Sequence, residues 1–168
     1  MKKLFIVGIC LGVIGVGYWL LSPLWRTERV DESLPETTPL SSGDPSMVPR
    51  DQSPKSADVT TELFTGSFVG FDRLHQGSGT AKIIQVGEKT YVRFESDFTV
   101  SNGPDLFVGF GKDGKYISGS EVGALKGNVG AQNYELPEGF DTARFNEVYV
   151  WCRAFSVPFT KASLSQSN

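Results

Sequence analysis

The sequence has little of what most catalytic and metal sites are built from. It holds one histidine, His75, and two cysteines, Cys10 and Cys152. A blue-copper site needs two His and a Cys, so it cannot be assembled within one chain. A structural zinc site needs four Cys or His ligands and is excluded as well. Cys10 lies in an N-terminal apolar run, so Cys152 has no partner for a disulfide inside a folded domain. A Ser–His–Asp triad is possible on inventory alone, since acids and hydroxyls abound around His75, yet nothing marks a nucleophile elbow. Basic excess is missing too. Net charge is −3, and Glu62–Leu164 carries ten Lys and Arg against twelve Asp and Glu. A nucleic-acid partner would require a basic patch to neutralise phosphates, so none is expected.

Beyond residue 62 no stretch sustains a helical period. This undercuts the one nucleotide-like motif, Gly109-Phe110-Gly111-Lys112-Asp113-Gly114. A dinucleotide fingerprint needs a helix after its glycines to receive the pyrophosphate, and here Lys115-Tyr116-Ile117-Ser118-Gly119 follows. A strand running into a turn explains the motif better.

What is present divides the chain in three. Leu4–Leu21 is an uncharged run of 18 residues, roughly 27 Å as a helix and close to a bilayer's hydrocarbon thickness. Lys2 and Lys3 precede it, while Tyr18, Trp19 and Trp25 cluster at its far end, as in an aromatic belt. It is longer than a signal-peptide core and ends without a small-x-small cleavage site. Residues 1–25 are therefore expected to form an uncleaved transmembrane anchor, with the N-terminus cytoplasmic and the rest in the periplasm or on the cell surface. Residues 26–61 hold five of the nine prolines and no aromatic residue. Such a segment buries too little apolar surface to order itself, and it reads as a disordered, semi-stiff linker. Residues 62–164 carry most of the phenylalanines and form one domain, followed by a tail over 165–168.

The domain pattern has period two. Thr80–Val86, Lys89–Phe98, Asp105–Gly111, Glu147–Phe155 and Ser156–Leu164 read as strands. Gly87-Glu88 sits at hairpin spacing, and Asn102-Gly103-Pro104 and Asp113-Gly114 punctuate loops. Ile117–Phe140 is Gly-rich and reads as a long loop or irregular strand. The expected fold is all-β, an antiparallel β-sandwich or closed barrel.

Several pieces together make the domain recognisable. They are His75 with Ser78-Gly79-Thr80, Phe94 and Phe98, Gly103-Pro104-Asp105-Leu106, Leu125-Lys126-Gly127, Gly130, Tyr134, Leu136-Pro137, and Val150-Trp151-Cys152 with Phe155 and Phe159. In this order, from Gly66 to Leu164, they resemble the DM-thirteen domain, a family described as an electron-transfer module. The resemblance implies a β-sandwich related to the DOMON fold, held outside the cytoplasm, with Cys152 as its signature cysteine. No haem, flavin or oxidase domain is fused to this chain, so an electron partner would be a separate redox or surface protein.

Alternation along Val148–Phe155 puts Cys152 on a face with Val148, Val150 and Ala154, and Arg153 on the other. On the residues alone, Cys152 reads as a core thiol. The resemblance adds a redox role, which requires access and thiolate character. His75 is the resident base suited to the task. The pair Cys152 and His75 is thus the expected active group, either as a one-thiol redox centre or as ligands to a haem or metal ion, with no cofactor required by the sequence. Against it stands a loop histidine bonded to backbone. Asp105, Lys126 and Trp151 are the expected ligand-binding residues: Asp105 for a cation, Lys126 for an anion, Trp151 as a stacking surface or electron relay. The bland alternatives are a turn-closing Asp, a solvated Lys and a packed Trp. The alternative function is a non-catalytic module binding a sugar, haem or protein through its Gly-rich loops.

Overall fold

A computed structural model describes Gly12, residues 26–36 and residues 60–167. Twelve strands run in order: β1 (Thr60–Gly70), β2 (Gly77–Ser78), β3 (Thr80–Val86), β4 (Lys89–Phe94), β5 (Thr99–Val100), β6 (Leu106–Lys112), β7 (Lys115–Tyr116), β8 (Gly123–Ala124), β9 (Gln132–Glu135), β10 (Glu147–Cys152), β11 (Val157–Ser163) and β12 (Ser165–Gln166). One 3₁₀ turn, Thr142–Arg144, is capped by Asp141, whose Oδ1 accepts from Ala143 N at 3.0 Å.

Ten strands make one antiparallel sheet in the order β7-β6-β10-β11-β1-β3-β4-β9, with β12 beside β1 and β8 beside β6. β2 and β5 form a separate two-stranded piece. The large sheet curls on itself. Tyr134 of β9, at one edge, packs beside Gly123 of β8 from the other edge. A long twisted sheet must curl or split to bury one apolar face, and two register shifts help it bend. One lies between Glu62 and Phe64 of β1. The other lies between Val150 and Trp151 of β10, where Phe159 of β11 is left without a partner and turns into the core. The curl encloses Phe68, Ile83, Val92, Phe94, Phe98, Val108, Phe110, Val148, Val150, Cys152 and Phe159. Phe68, Phe94 and Phe98 meet with ring centroids 4.5 to 5.0 Å apart, in tilted and edge-on contacts that add to simple burial.

The expected strands are all present, and the fold is all-β, antiparallel and sandwich-like. Asp113 and Gly114, at φ 52° and 81°, make the two-residue turn between β6 and β7 that an Asp-Gly pair favours. The GxGxxG match is therefore strand plus hairpin. Three readings differ. β1 is the longest strand and was not anticipated as one. The Gly-rich segment Ile117–Phe140 contains β8 and β9, and β9 pairs in register with β4 along Tyr91–Phe94.

The third difference concerns the linker expected over 26–61. Residues 28–33 are ordered against the domain. Arg29 bridges Val129 in parallel. Val30 N donates to Val129 O and Glu32 N to Ala131 O, both at 2.9 Å, while Asn128 N donates back to Glu28 O at 2.8 Å. The segment succeeds because it borrows the domain's unpaired backbone instead of building a core of its own. The expected anchor Leu4–Leu21, apart from Gly12, and residues 37–59 of the expected linker lie outside the described residues. Among the described residues no helix is long and apolar enough to cross a membrane.

Candidate functional site

β10 is an interior strand, flanked by β6 and β11, so both of its faces are covered and its alternation is strict. Val148, Val150 and Cys152 point inward, each 0 % exposed. Cys152 is the last residue of the strand, opposite Leu106 of β6 and Val157 of β11. Beyond it Arg153, Ala154, Phe155 and Ser156 form an exposed turn, closed by Ser156 at φ 54°. Ala154, expected on the Cys152 face, is thus in the turn. The thiol is sealed from water, but the next residue along the chain already belongs to a solvent-exposed connection.

That turn is clamped from outside. Asp105 accepts from Arg153 with both oxygens, Oδ2 from Nε at 3.0 Å and Oδ1 from Nη2 at 3.3 Å. Its backbone carbonyl accepts from Arg153 N at 2.9 Å. The Arg153 guanidinium lies 4.1 Å from the centroid of Phe107, a favourable cation–π distance. Asp105 therefore holds the strand end that carries Cys152, and its carboxylate is engaged by a cation from the protein itself.

His75 sits at the same end of the sheet, in the connection between β1 and β2. It is held by Asp72. Asp72 Oδ1 accepts from Leu74 N and His75 N at 2.7 and 2.8 Å, and Oδ2 meets His75 Nδ1 at 2.7 Å. The His75 ring and these two backbone N–H groups hold Asp72 down at a pKa of about 2. The other side of the ring meets Phe159 edge-on, with centroids 4.6 Å apart. No hydrogen bond joins His75 to Cys152 among the described residues. The structure thus brings the two to one end of the molecule but interposes the core there, with Phe159 as the aromatic that His75 touches.

Lys126 is not a free cation. Its Nζ donates to Glu32 Oε1 and Oε2 at 2.7 and 3.0 Å and to Asn133 O at 2.7 Å. Burial pulls the Glu32 carboxyl up, but the bonds from Lys126 and Asn133 outweigh it and hold the pKa below the usual carboxylate range. Gly127 is fixed by Gln132, fully buried, whose Nε2 donates to Gly127 O at 2.7 Å while Tyr134 OH donates to its Oε1 at 2.7 Å. Gly127 and Gly130 leave room for residues 28–30. A Cβ at Gly127 would meet Glu28 O at 2.7 Å, and one at Gly130, which has φ 98°, would overlap Val30 O. The Leu-Lys-Gly segment and Gly130 are therefore the seat of the docked N-terminal strap.

Trp151 faces outward, away from Cys152, and stacks on Tyr116 at 4.2 Å and 3°. Tyr116 meets Tyr149 at 5.7 Å, and Tyr149 meets Phe71 at 6.1 Å. This row covers the outer face of β10. Beneath it lies a site that sequence reasoning missed. Glu147 is buried, pairs with Lys161, and accepts from Gly114 N at 2.7 Å and Tyr149 OH at 3.2 Å. Burial first, and then the Glu147 carboxylate, push Tyr149 up to about 12. Its only signal in the sequence is an acid opening an otherwise apolar strand. A cleft of about 360 Å³ lies at the end of the sheet opposite Cys152, between Glu88–Thr90 and Glu135–Phe140, and holds none of the expected site residues. Among the described residues no group of three His, Cys, Asp or Glu side chains is placed to hold a metal ion.

The recognisable residues thus have two physical tasks. One set closes the end of the sheet over Cys152, and the other builds the seat for the strap. Residues 68–164 match the family model described as electron transfer DM13. The match covers 97 of the chain's 168 residues. No curated protein and no solved structure matches the chain. On that match, which runs from the last residues of β1 through β11 and takes in His75, Asp105, Lys126, Trp151 and Cys152, the chain belongs to the electron transfer DM13 family.

Proposed function

We propose that this protein is a membrane-anchored redox module working outside the cytoplasm, with Cys152 as its redox group. Support for the redox part comes from the family. Support for Cys152 comes from its position as the last residue of β10, one step from an exposed turn. A sealed thiol is inert while the strand end stays closed, and a reactive one needs access. Strand ends and turns open locally at a fraction of the cost of global unfolding. In this reading the clamp of Asp105, Arg153 and Phe107 sets how often Cys152 is offered. The offered thiolate attacks a partner's disulfide, forming a mixed disulfide and releasing one partner thiol. Thiols of a second, reduced protein then attack the mixed disulfide in turn: one releases the first partner as a dithiol, and the next takes over the disulfide bond and releases the Cys152 thiolate, so that the first partner is left reduced at the expense of the second. His75, tied to Asp72 beside Phe159, takes the thiol proton in the open state. The electron partner is a separate redox or surface protein.

The experiment is to incubate the purified full chain with oxidised glutathione under native conditions and map adducts by mass spectrometry. A reversible mixed disulfide on Cys152, lost in Cys152→Ser, is expected. A chain that stays unmodified at Cys152 while native, yet reacts there once unfolded, refutes the thiol role. Absorbance of the same sample tests the ligand-binding alternative. A haem or metal band that survives in Cys152→Ser would favour a binding module. The outward row of Trp151 and Tyr116 is the observation that speaks for such a module, as a stacking surface for a sugar or ring.

A further inference from the structure

Among the described residues the exposed large hydrophobics are Leu34, Val69, Phe71, Leu74 and Phe155. Four of the five gather toward one end of the sheet. The register fixes which end. β1, β4 and β10 finish there and β3, β6, β9 and β11 begin there, since Gly70 pairs with Thr160, Cys152 with Leu106 and Val157, and Phe94 with Ala81 and Gln132. Leu74 is 79 % exposed in the connection after β1, and Phe155 is 67 % exposed in the turn after β10. The opposite end exposes Glu88, Lys89, Asp113, Glu138 and Asp141, and its one exposed large hydrophobic among the described residues is Leu34 of the strap, beside Tyr91 and Glu135.

The docked strap reaches the domain at the apolar end. Its first pairing residue, Glu28, bonds Asn128 and Val129. Val129 bridges Thr99 of β5, and β5 pairs with β2, which follows the Leu74 connection. Six residues lie between Leu21, the last of the apolar run, and Glu28. They span at most about 24 Å. With the strap undocked, Leu21 and Thr60 would instead be joined by 38 residues, or about 130 Å at full stretch.

We infer that this end of the domain lies on the bilayer surface, with Leu74 and Phe155 inserted at the headgroup level. The inference rests on the reading of Leu4–Leu21 as a membrane anchor and deepens it: the strap converts a long tether into a short one and sets which end faces the lipid. Apolar side chains at an interface gain by burial among acyl chains. Arg26, Arg29 and Arg73 are exposed at the same end and suit anionic headgroups. Asp72 and Asp97 are exposed there too, so apolar contact leads and charge follows. Cys152 lies under this end, which confines its partner to molecules in or at the membrane.

The test uses the full chain with Cys10→Ala, reconstituted into mixed phosphatidylcholine and phosphatidylglycerol vesicles. An environment-sensitive dye is attached through Leu74→Cys or Phe155→Cys, or through Glu88→Cys or Glu138→Cys at the other end. Dye taken up by Cys152 through local opening is measured in the Cys10→Ala parent and subtracted. Nitroxide-bearing lipids should quench dyes at 74 and 155 several-fold more than at 88 and 138, with blue-shifted emission only at the first pair. Adding Leu74→Glu should weaken quenching at 155 while the chain stays in the vesicles. Equal quenching at both ends, or stronger quenching at 88 and 138, overturns the orientation and leaves the anchor standing. Release of the chain by alkaline carbonate overturns the anchor and the inference with it.

Discussion

At the residue scale, the main contest is between a thiol as packing and a thiol as chemistry. Cys152 occupies a fully buried place between Leu106 and Val157. Cys152→Ser puts a hydroxyl where no partner waits, and should cost about 1–3 kcal/mol, read from urea unfolding. The clamp is a different matter. Arg153 is largely exposed, so its ion pair with Asp105 is worth about 1 kcal/mol or less. Arg153→Ala should therefore raise the labelling rate of Cys152 up to roughly fivefold while the unfolding midpoint barely moves. Glu147 responds more sharply. Lys161→Met leaves its buried carboxylate with only Gly114 N and Tyr149 OH as partners. It should cost about 1–3 kcal/mol in urea unfolding, after allowance for the partial exposure of Lys161. Of these residues the sequence alone put Cys152 on the face of Val148 and Val150, because period two is enforced in an interior strand, and put Arg153 on the other side, although Arg153 lies in the turn past the strand end. It did not identify Asp105 as the partner of Arg153. They are 48 positions apart and meet only because β6 and β10 pair in register.

At the element scale, local pattern and non-local pairing separate clearly. β3, β4, β6, β10 and β11 were legible because each alternates or is densely β-branched and aromatic between turn residues. β1 was not, since Thr60, Thr61, Gly66, Ser67 and Gly70 dilute its apolar face, and its pairing with both β3 and β11 supplies what its own sequence lacks. The strap was illegible for the same reason in a stronger form. Its apolar residue against the domain, Val30, is only partly buried, and its stability comes from Gly127, Gly130 and Lys126, about a hundred positions away. Its dependence on pH follows from Glu32. The docked carboxylate titrates below its undocked value, so docking is favoured above the ordinary Glu range and weakens as pH falls through the docked value. Hydrogen exchange should show the amides of Val30 and Glu32 protected at neutral pH. They should lose protection as pH falls below the ordinary Glu range, while β10 amides stay protected. Glu32→Gln should lower the protection at neutral pH and remove most of its pH dependence. Strap amides that exchange freely at every pH would show that the strap does not dock in solution.

At the scale of the whole molecule, the curled sheet gives its two ends different characters. One is charged and carries the open cleft of Glu88 and Phe140. The other is apolar at its rim, receives the strap, and covers Cys152 with a single clamped turn. Under the proposed reading a redox thiol placed so is protected by closure and used by opening, and the strap holds the same end toward the apolar run. The decisive measurement is the native-state labelling rate of Cys152 by a thiol reagent across a series of low urea concentrations. Local opening of the turn exposes little surface, so the rate should exceed global unfolding and stay almost flat in urea. A rate that equals global unfolding and climbs with its full urea dependence would mean that Cys152 is reached only when the fold is lost, and the redox account of this thiol would be wrong.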